Sequence, residues 1–194
     1  ENILGFIVVK DGEIILENYF NDSSVDSLNP IYSVTKSFVA TLVGQAIDMK
    51  MIPHQDSTLI NFLPDYKDEV LKQVTLHDIL SMSSGYIDGY EYPKYINQST
   101  RSLVSMKNKK SDKFLYNNSA CQISNHVLFY NTQLRPSDFA NTYLFPYLGI
   151  ENYKWRKGYS GIEDGSAGLY LNLRDMVKLG QLYIQGGYSG ENKV

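Results

Sequence analysis

The sequence lacks several features that would fix its function at once. It holds one cysteine, Cys121, in 194 residues, so no disulfide can form within the chain. That fits a reducing compartment without requiring one, and both the bacterial cytoplasm and the cell envelope stay open. No apolar run reaches transmembrane length, and the first residues have neither the basic nor the apolar region of a signal peptide. There is no basic excess. The 18 Lys and Arg residues face 21 Asp and Glu, for a net charge of −3, which argues against a nucleic-acid partner. The three histidines, His54, His77 and His126, are scattered without ligand spacing. No metal or cofactor is therefore expected, and each is read as a surface or capping residue. The glycines between Gly158 and Gly168 are not preceded by a strand in the manner of a phosphate-binding loop and suit a flexible loop. Internal repeats and low-complexity segments are absent.

What remains is an ordinary globular composition, 43% hydrophobic and 20% charged, in a chain long enough for one substantial core. Residues 3–9 and 13–20 read as strands, and Asp11-Gly12 between them is a strong hairpin signal. Residues 21–30 read as a loop, and 54–74 as irregular. Thr75-Leu76-His77-Asp78 is a variant capping box opening a helix that Gly85 stops. Residues 86–98 read as a surface excursion and 99–107 as a short helix. The Lys-Asn-Lys-Lys run at 107–110 reads as a solvated turn. Further helices are expected over 119–131, from Ser137 to a stop at Pro146, and from a cap at Asn172 to Gln185. A short strand is expected around Trp155. The pattern is one α+β unit over 1–194, with a hairpin at 3–20 and a mainly helical region at 33–187.

Ile31-Tyr32-Ser33-Val34-Thr35-Lys36-Ser37-Phe38 contains the sole Ser-x-x-Lys of the chain. Apolar residues follow at Val34, Phe38, Val39, Leu42, Val43, Ala46 and Ile47, in steps that mark one helical face. Residues three apart on a helix are neighbours, so the Ser33 hydroxyl and the Lys36 amine can meet. A serine hydroxyl is a poor nucleophile until a base takes its proton, and a lysine can be that base. Helix N-terminal N–H groups can also receive a developing oxyanion. Chance supplies roughly one Ser-x-x-Lys in a chain of this length, so position and partners carry the weight.

A partner is Tyr116-Asn117-Asn118. A tyrosine hydroxyl beside a lysine can shuttle a proton, and the Asn118 amide can hold a substrate carbonyl. Tyr95-Ile96-Asn97 competes but sits in a polar excursion. Two near-elbows, Gly158-Tyr159-Ser160-Gly161 and Gly187-Tyr188-Ser189-Gly190, break the Gly-x-Ser-x-Gly pattern. The Asn-x-Ser sequons at Asn21, Asn97 and Asn117 are read as coincidence, and Cys121 as a small buried residue.

Ser33, Lys36, Tyr116 and Asn118 come in the order of the penicillin-recognising serine hydrolases. The chain resembles the class C β-lactamase-like branch of that superfamily, which includes D-alanyl-D-alanine peptidases, esterases and 6-aminohexanoate-dimer hydrolases. Phe6 to Tyr19 resembles the family's opening hairpin, and Tyr32 to Ser37 its nucleophile helix. Leu80-Ser81-Met82-Ser83-Ser84-Gly85 resembles its Leu-x-Met-x-Ser-Gly stretch. Leu144 to Ile150, Gly168-Leu169 and Arg174-Asp175-Met176 match later segments. Trp155 and Lys178 to Tyr183 lean toward the dimer-hydrolase members.

The resemblance implies a β-lactamase/transpeptidase-like α+β fold and an acyl-enzyme on Ser33. It further implies Lys36 as general base, Tyr116 as proton carrier and Asn118 as substrate holder. The Ser33 backbone N–H would be one oxyanion donor. The implied substrate is a small-molecule amide, ester or β-lactam. A non-catalytic penicillin-binding sensor and a degenerate family member are the alternatives. The family's third motif, Lys-Thr-Gly or His-x-Gly, does not occur in these 194 residues. The antiparallel sheet is therefore expected to be incomplete, lacking its C-terminal strands. The chain is expected to be truncated, inactive by itself, and prone to associate through an exposed sheet edge.

Overall fold

The computed structural model describes residues 3–63, 69–85, 113–158 and 161–194. The excursion at 86–98, the helix candidate at 99–107, the lysine run at 107–110 and Tyr95-Ile96-Asn97 lie outside the described residues.

Strands β1 (Gly5–Lys10) and β2 (Glu13–Tyr19) pair antiparallel. Asp11 and Gly12 both take positive φ, 52° and 84°, the conformation a two-residue type I′ turn requires. The register shifts between Val8 and Val9, so Ile15 has no partner across the ladder. One face of the hairpin lies on the late helix α7 (Leu173–Ile184), where a Cβ on Gly5 would come within 2.7 Å of Leu173. Arg174 grips Glu17 with two bonds, 2.8 and 2.6 Å. Those bonds, with the Tyr19 hydroxyl, hold the Glu17 carboxyl down to about 2. Burial, reinforced by Glu17, pushes the Tyr19 phenol up to about 12. Elsewhere on the hairpin Phe6, Ile15 and Leu16 are 50%, 60% and 44% exposed.

The centre of the fold is α1 (Thr35–Asp48). Its stripe of Phe38, Val39, Leu42, Val43 and Ala46 is at most 1% exposed and packs against α4 (Asn118–Thr132) and α5 (Pro136–Tyr143). Phe38 meets Phe145 edge-on at 6.3 Å. Each buried Phe, Val or Leu of the stripe contributes about 1.5–3 kcal/mol by leaving water. The 54–74 stretch, expected to be irregular, contains α2 (Leu59–Phe62) and a 3-10 turn at Glu69–Lys72. Leu59, Phe62 and Leu71 are buried there, so tertiary packing overrides weak local signals. The capping box opens α3 (Leu76–Leu80), with Thr75 and Asp78 each bonding the other's backbone.

Pro146 does not close α5. It sits in the first turn of a new helix, α6 (Phe145–Leu148), where its missing N–H costs nothing. The last two residues of the expected 21–30 loop form a strand. That strand, β3 (Asn29–Pro30), pairs with β5 (Leu169–Leu171), which also pairs with β4 (Lys154–Trp155). Asn172 caps α7 by accepting from the Asp175 N–H at 2.7 Å. A second hairpin, β6 (Tyr188–Ser189) and β7 (Asn192–Lys193), follows. All the ladder pairings described are antiparallel, and helices dominate the body, as an α+β fold requires. His126 is neither a surface nor a capping residue. It is fully buried in α4, and burial lowers its pKa to about 4.

Candidate active site

The site grows from the junction of β3 and α1. Ile31 donates its N–H to the Leu169 carbonyl at 3.1 Å, continuing the β3–β5 pairing. The buried Thr35 hydroxyl accepts from the Leu169 N–H at 3.2 Å. The start of α1 is thus tied to β5 on both sides of the serine. Between these ties Tyr32 takes φ 46°, a left-handed conformation uncommon for a non-glycine residue. Ser33 consequently sits in a 3-10 turn (Tyr32–Val34) just ahead of the α-helix, not in its first α-helical turn. The Val34 N–H is already given to the Ile31 carbonyl, so that helix-end donor is used within the turn.

One turn on, Lys36 reaches back and donates to Ser33 Oγ at 3.0 Å. Its Nζ also donates to the backbone carbonyl of Ser166 at 2.6 Å. Tyr116 arrives from the opposite side. Leu115 donates its N–H to the Met82 carbonyl at 2.8 Å, and Asn117 caps α4 by accepting from the Ala120 N–H at 2.7 Å. Held between these two anchors, the Tyr116 hydroxyl lies 2.7 Å from Ser33 Oγ. Lys36 Nζ also lies 5.0 Å from the centre of the Tyr116 ring, within cation–π reach. Ser33 is exposed and Tyr116 is 49% exposed, so a substrate carbonyl can approach the hydroxyl.

The structure therefore brings Ser33, Lys36 and Tyr116 into one hydrogen-bonded row. Asn118 is the first residue of α4, half-buried, two positions beyond Tyr116. Asn117, the acceptor position of its sequon, is fully buried at the helix cap. Ser189, in one of the near-elbows, turns its hydroxyl to the Tyr147 carbonyl at 2.6 Å; Tyr159 and Ser160 of the other lie outside the described residues. Among the described residues no group of His, Cys, Asp and Glu is arranged to hold a metal ion, and no helix is long and apolar enough to cross a membrane.

The sequence reading gave no part in the site to Asp164 or Ser166. The Ser166 carbonyl is a backbone atom and leaves no mark in a residue pattern. The one hint was the Gly165-Ser166-Ala167-Gly168 run just before β5, where small residues permit close backbone approach.

Comparison with solved structures returns the same fold. A candidate 6-aminohexanoate-dimer hydrolase from Bacillus anthracis superposes with a TM-score of 0.81 at 20% identity, over 97% of this chain and 56% of that one. A candidate β-lactamase from Bacteroides dorei gives 0.83 at 18% identity, over 97% and 60%. A class C β-lactamase from Rhodobacter sphaeroides gives 0.73 at 16% identity, over 96% and 62%. The chain thus spans less than two thirds of the length of these structures. No curated protein matches it by sequence. The family model described as Beta-lactamase matches residues 4–193. With the model covering nearly the whole chain, this protein belongs to the β-lactamase family.

Proposed function

We propose that Ser33 is the nucleophile of a serine hydrolase that works through an acyl-enzyme on a small amide, ester or β-lactam. The observation that carries this reading is the row Lys36 Nζ, Ser33 Oγ and Tyr116 OH, with steps of 3.0 and 2.7 Å. These distances suit proton transfer between positioned groups.

In this reading Lys36 takes the Ser33 proton as Oγ attacks the substrate carbonyl. The tetrahedral intermediate places its oxyanion near the Ser33 backbone N–H. Tyr116 gives its proton to the leaving nitrogen or oxygen and takes one back directly from the Lys36 ammonium beside its ring, because the acylated Ser33 oxygen has no proton to relay. Water then attacks the acyl-Ser33 ester, the same groups take its proton, and Ser33 is restored. Asn118 holds the substrate's amide or ester side.

A second oxyanion donor and a wall opposite Ser33 are supplied, in this proposal, by residues beyond these 194. Neither Lys-Thr-Gly nor His-x-Gly occurs in them. Loss of one oxyanion donor typically costs about 10²–10³ in rate, so the 194 residues alone are proposed to be nearly inactive.

The test is labelling of the full-length protein with a fluorophosphonate and with fluorescent penicillin. Labelling followed by release of product supports a hydrolase. A penicillin adduct that is never released moves the reading to a penicillin-binding sensor, whereas the phosphonate adduct is stable on a hydrolase as well. No labelling by either reagent contradicts both.

A further inference from the structure

Lys36 has a fixed partner besides Ser33, and that partner is a backbone atom. The Ser166 carbonyl accepts from Nζ at 2.6 Å. Its location depends on the turn that carries it, and a buried carboxylate bonds across that turn. Asp164 is 1% exposed. Its Oδ1 accepts from the Ser166 N–H at 2.9 Å and from the Ser166 hydroxyl at 2.5 Å. Its Oδ2 accepts from the Arg156 guanidinium at 2.7 Å. The Asp164 backbone is held as well. Its N–H donates to the Arg156 carbonyl at 2.8 Å, and its carbonyl accepts from the Trp155 indole at 2.9 Å.

The other side of the turn is locked to α4, the helix that starts just after Tyr116. Gln122 and Asn125 both donate to the Glu163 carbonyl, at 3.1 and 3.0 Å. The Gly165 N–H donates back to Gln122 at 3.0 Å. The turn therefore takes its position from the same element that anchors Tyr116, and delivers it to Lys36.

We infer that Asp164 is a positioning residue for Lys36: its carboxylate holds the Ser166 carbonyl against the lysine amine and so aims that amine at the Ser33 hydroxyl. The inference rests on the reading of Ser33 and Lys36 as nucleophile and base. A lysine head on a four-carbon stem carries about 2 kcal/mol of rotamer freedom. Accepting one of its N–H bonds at a fixed carbonyl removes much of that freedom before substrate arrives. A misplacement of about 1 Å at such a group can cost about 100-fold in rate.

The test uses the full-length protein with lysine labelled at Cε with carbon-13. Two quantities are followed at one pH: the Lys36 Cε resonance and the rate of acylation by an activated ester. Asp164→Ala, folded by circular dichroism, is expected to move the resonance and to slow acylation about 10- to 100-fold. Asp164→Asn keeps an oxygen acceptor for Ser166 and is expected to recover most of both. Ser166→Ala removes one of the two bonds from Ser166 to Asp164, loosens the carbonyl without freeing it, and is expected to move the resonance less, in the same direction. Val127→Ala, a core change in α4 away from the turn, is expected to leave the resonance in place. The inference is overturned if Asp164→Ala leaves the resonance unmoved, or if Val127→Ala moves it as far. Should Asp164→Ala not fold, an unmoved resonance in Ser166→Ala overturns it instead. If the unsubstituted protein is not acylated at Ser33, the nucleophile reading falls separately, while the resonance still reports on Asp164.

Discussion

The Tyr116 hydroxyl stands 2.7 Å from Ser33 Oγ, although 83 residues separate the two in sequence. The contact is made from two independently anchored backbones, one tied to β5 and one to the cap of α4. Tyr116→Phe deletes the hydroxyl and little else, because the ring is half-exposed. In the full-length protein the acylation rate is expected to fall about 10²–10⁴-fold. The urea midpoint is expected to stay within the narrow range usual for surface changes. Stopped-flow acylation and equilibrium unfolding measure the two.

Asn117 and Asn118 are expected to separate cleanly. Asn117 is fully buried and caps α4. Asn117→Ala is expected to cost about 1–2 kcal/mol of stability, and Asn117→Asp, which keeps a capping oxygen, much less. Asn118→Ala is expected to act on the substrate, lowering kcat/KM with little change in the unfolding midpoint. A stability loss at Asn118 equal to that at Asn117 would contradict the assignment.

Gly165 has no room for a side chain. A Cβ there would lie 2.7 Å from the Cys121 carbonyl and 2.8 Å from the Asn125 amide. The carbonyl belongs to a helix backbone and cannot step aside. Gly165→Ala is expected to cost about 1–3 kcal/mol. It is also expected to slow acylation more than an equally destabilising core change, because the Ser166 carbonyl moves with the turn. Thermal unfolding alongside acylation rates checks both.

His126 gives the fold an acid-sensitive stretch. Burial lowers its pKa from 6.5 to about 4. Above about pH 6.5 the imidazole is neutral folded or unfolded, and stability does not depend on it. As the pH falls from 6.5 toward 4 the unfolded chain takes up a proton that the folded chain refuses, so stability declines. The full loss is on the order of 3 kcal/mol. Urea midpoints between pH 7.5 and 4.5 are expected to drop more steeply for the wild type than for His126→Gln. Parallel curves would show that His126 does not titrate as its burial implies.

The elements legible in the sequence are those set by short-range chemistry. Asp11-Gly12 dictates a hairpin because both positions need positive φ. Thr75 with Asp78, and Asn172 with Asp175, announce helix starts because each pair bonds across a single turn. The apolar stripe of α1 was readable because its period matches the helix. Elements set by distant pairing were not. Asn29-Pro30 becomes a strand only because Leu171 and Tyr170 lie beside it. Pro146 looked like a stop, but a proline serves equally well in a first turn. At the site, Ser33, Lys36 and Tyr116 were weak candidates by residue type and spacing alone, and their order within the family resemblance singled them out. Asp164 could not be singled out, since its connection to Lys36 passes through a carbonyl that every residue possesses.

The central claim is that Ser33 forms the acyl-enzyme. The most direct measurement is tandem mass spectrometry of the full-length protein after brief exposure to a fluorophosphonate and, separately, to a penicillin. The account predicts a covalent adduct on the peptide containing Ser33, absent in Ser33→Ala, whose unfolding midpoint matches the wild type. An adduct on another residue, or an unchanged adduct in Ser33→Ala, would contradict it.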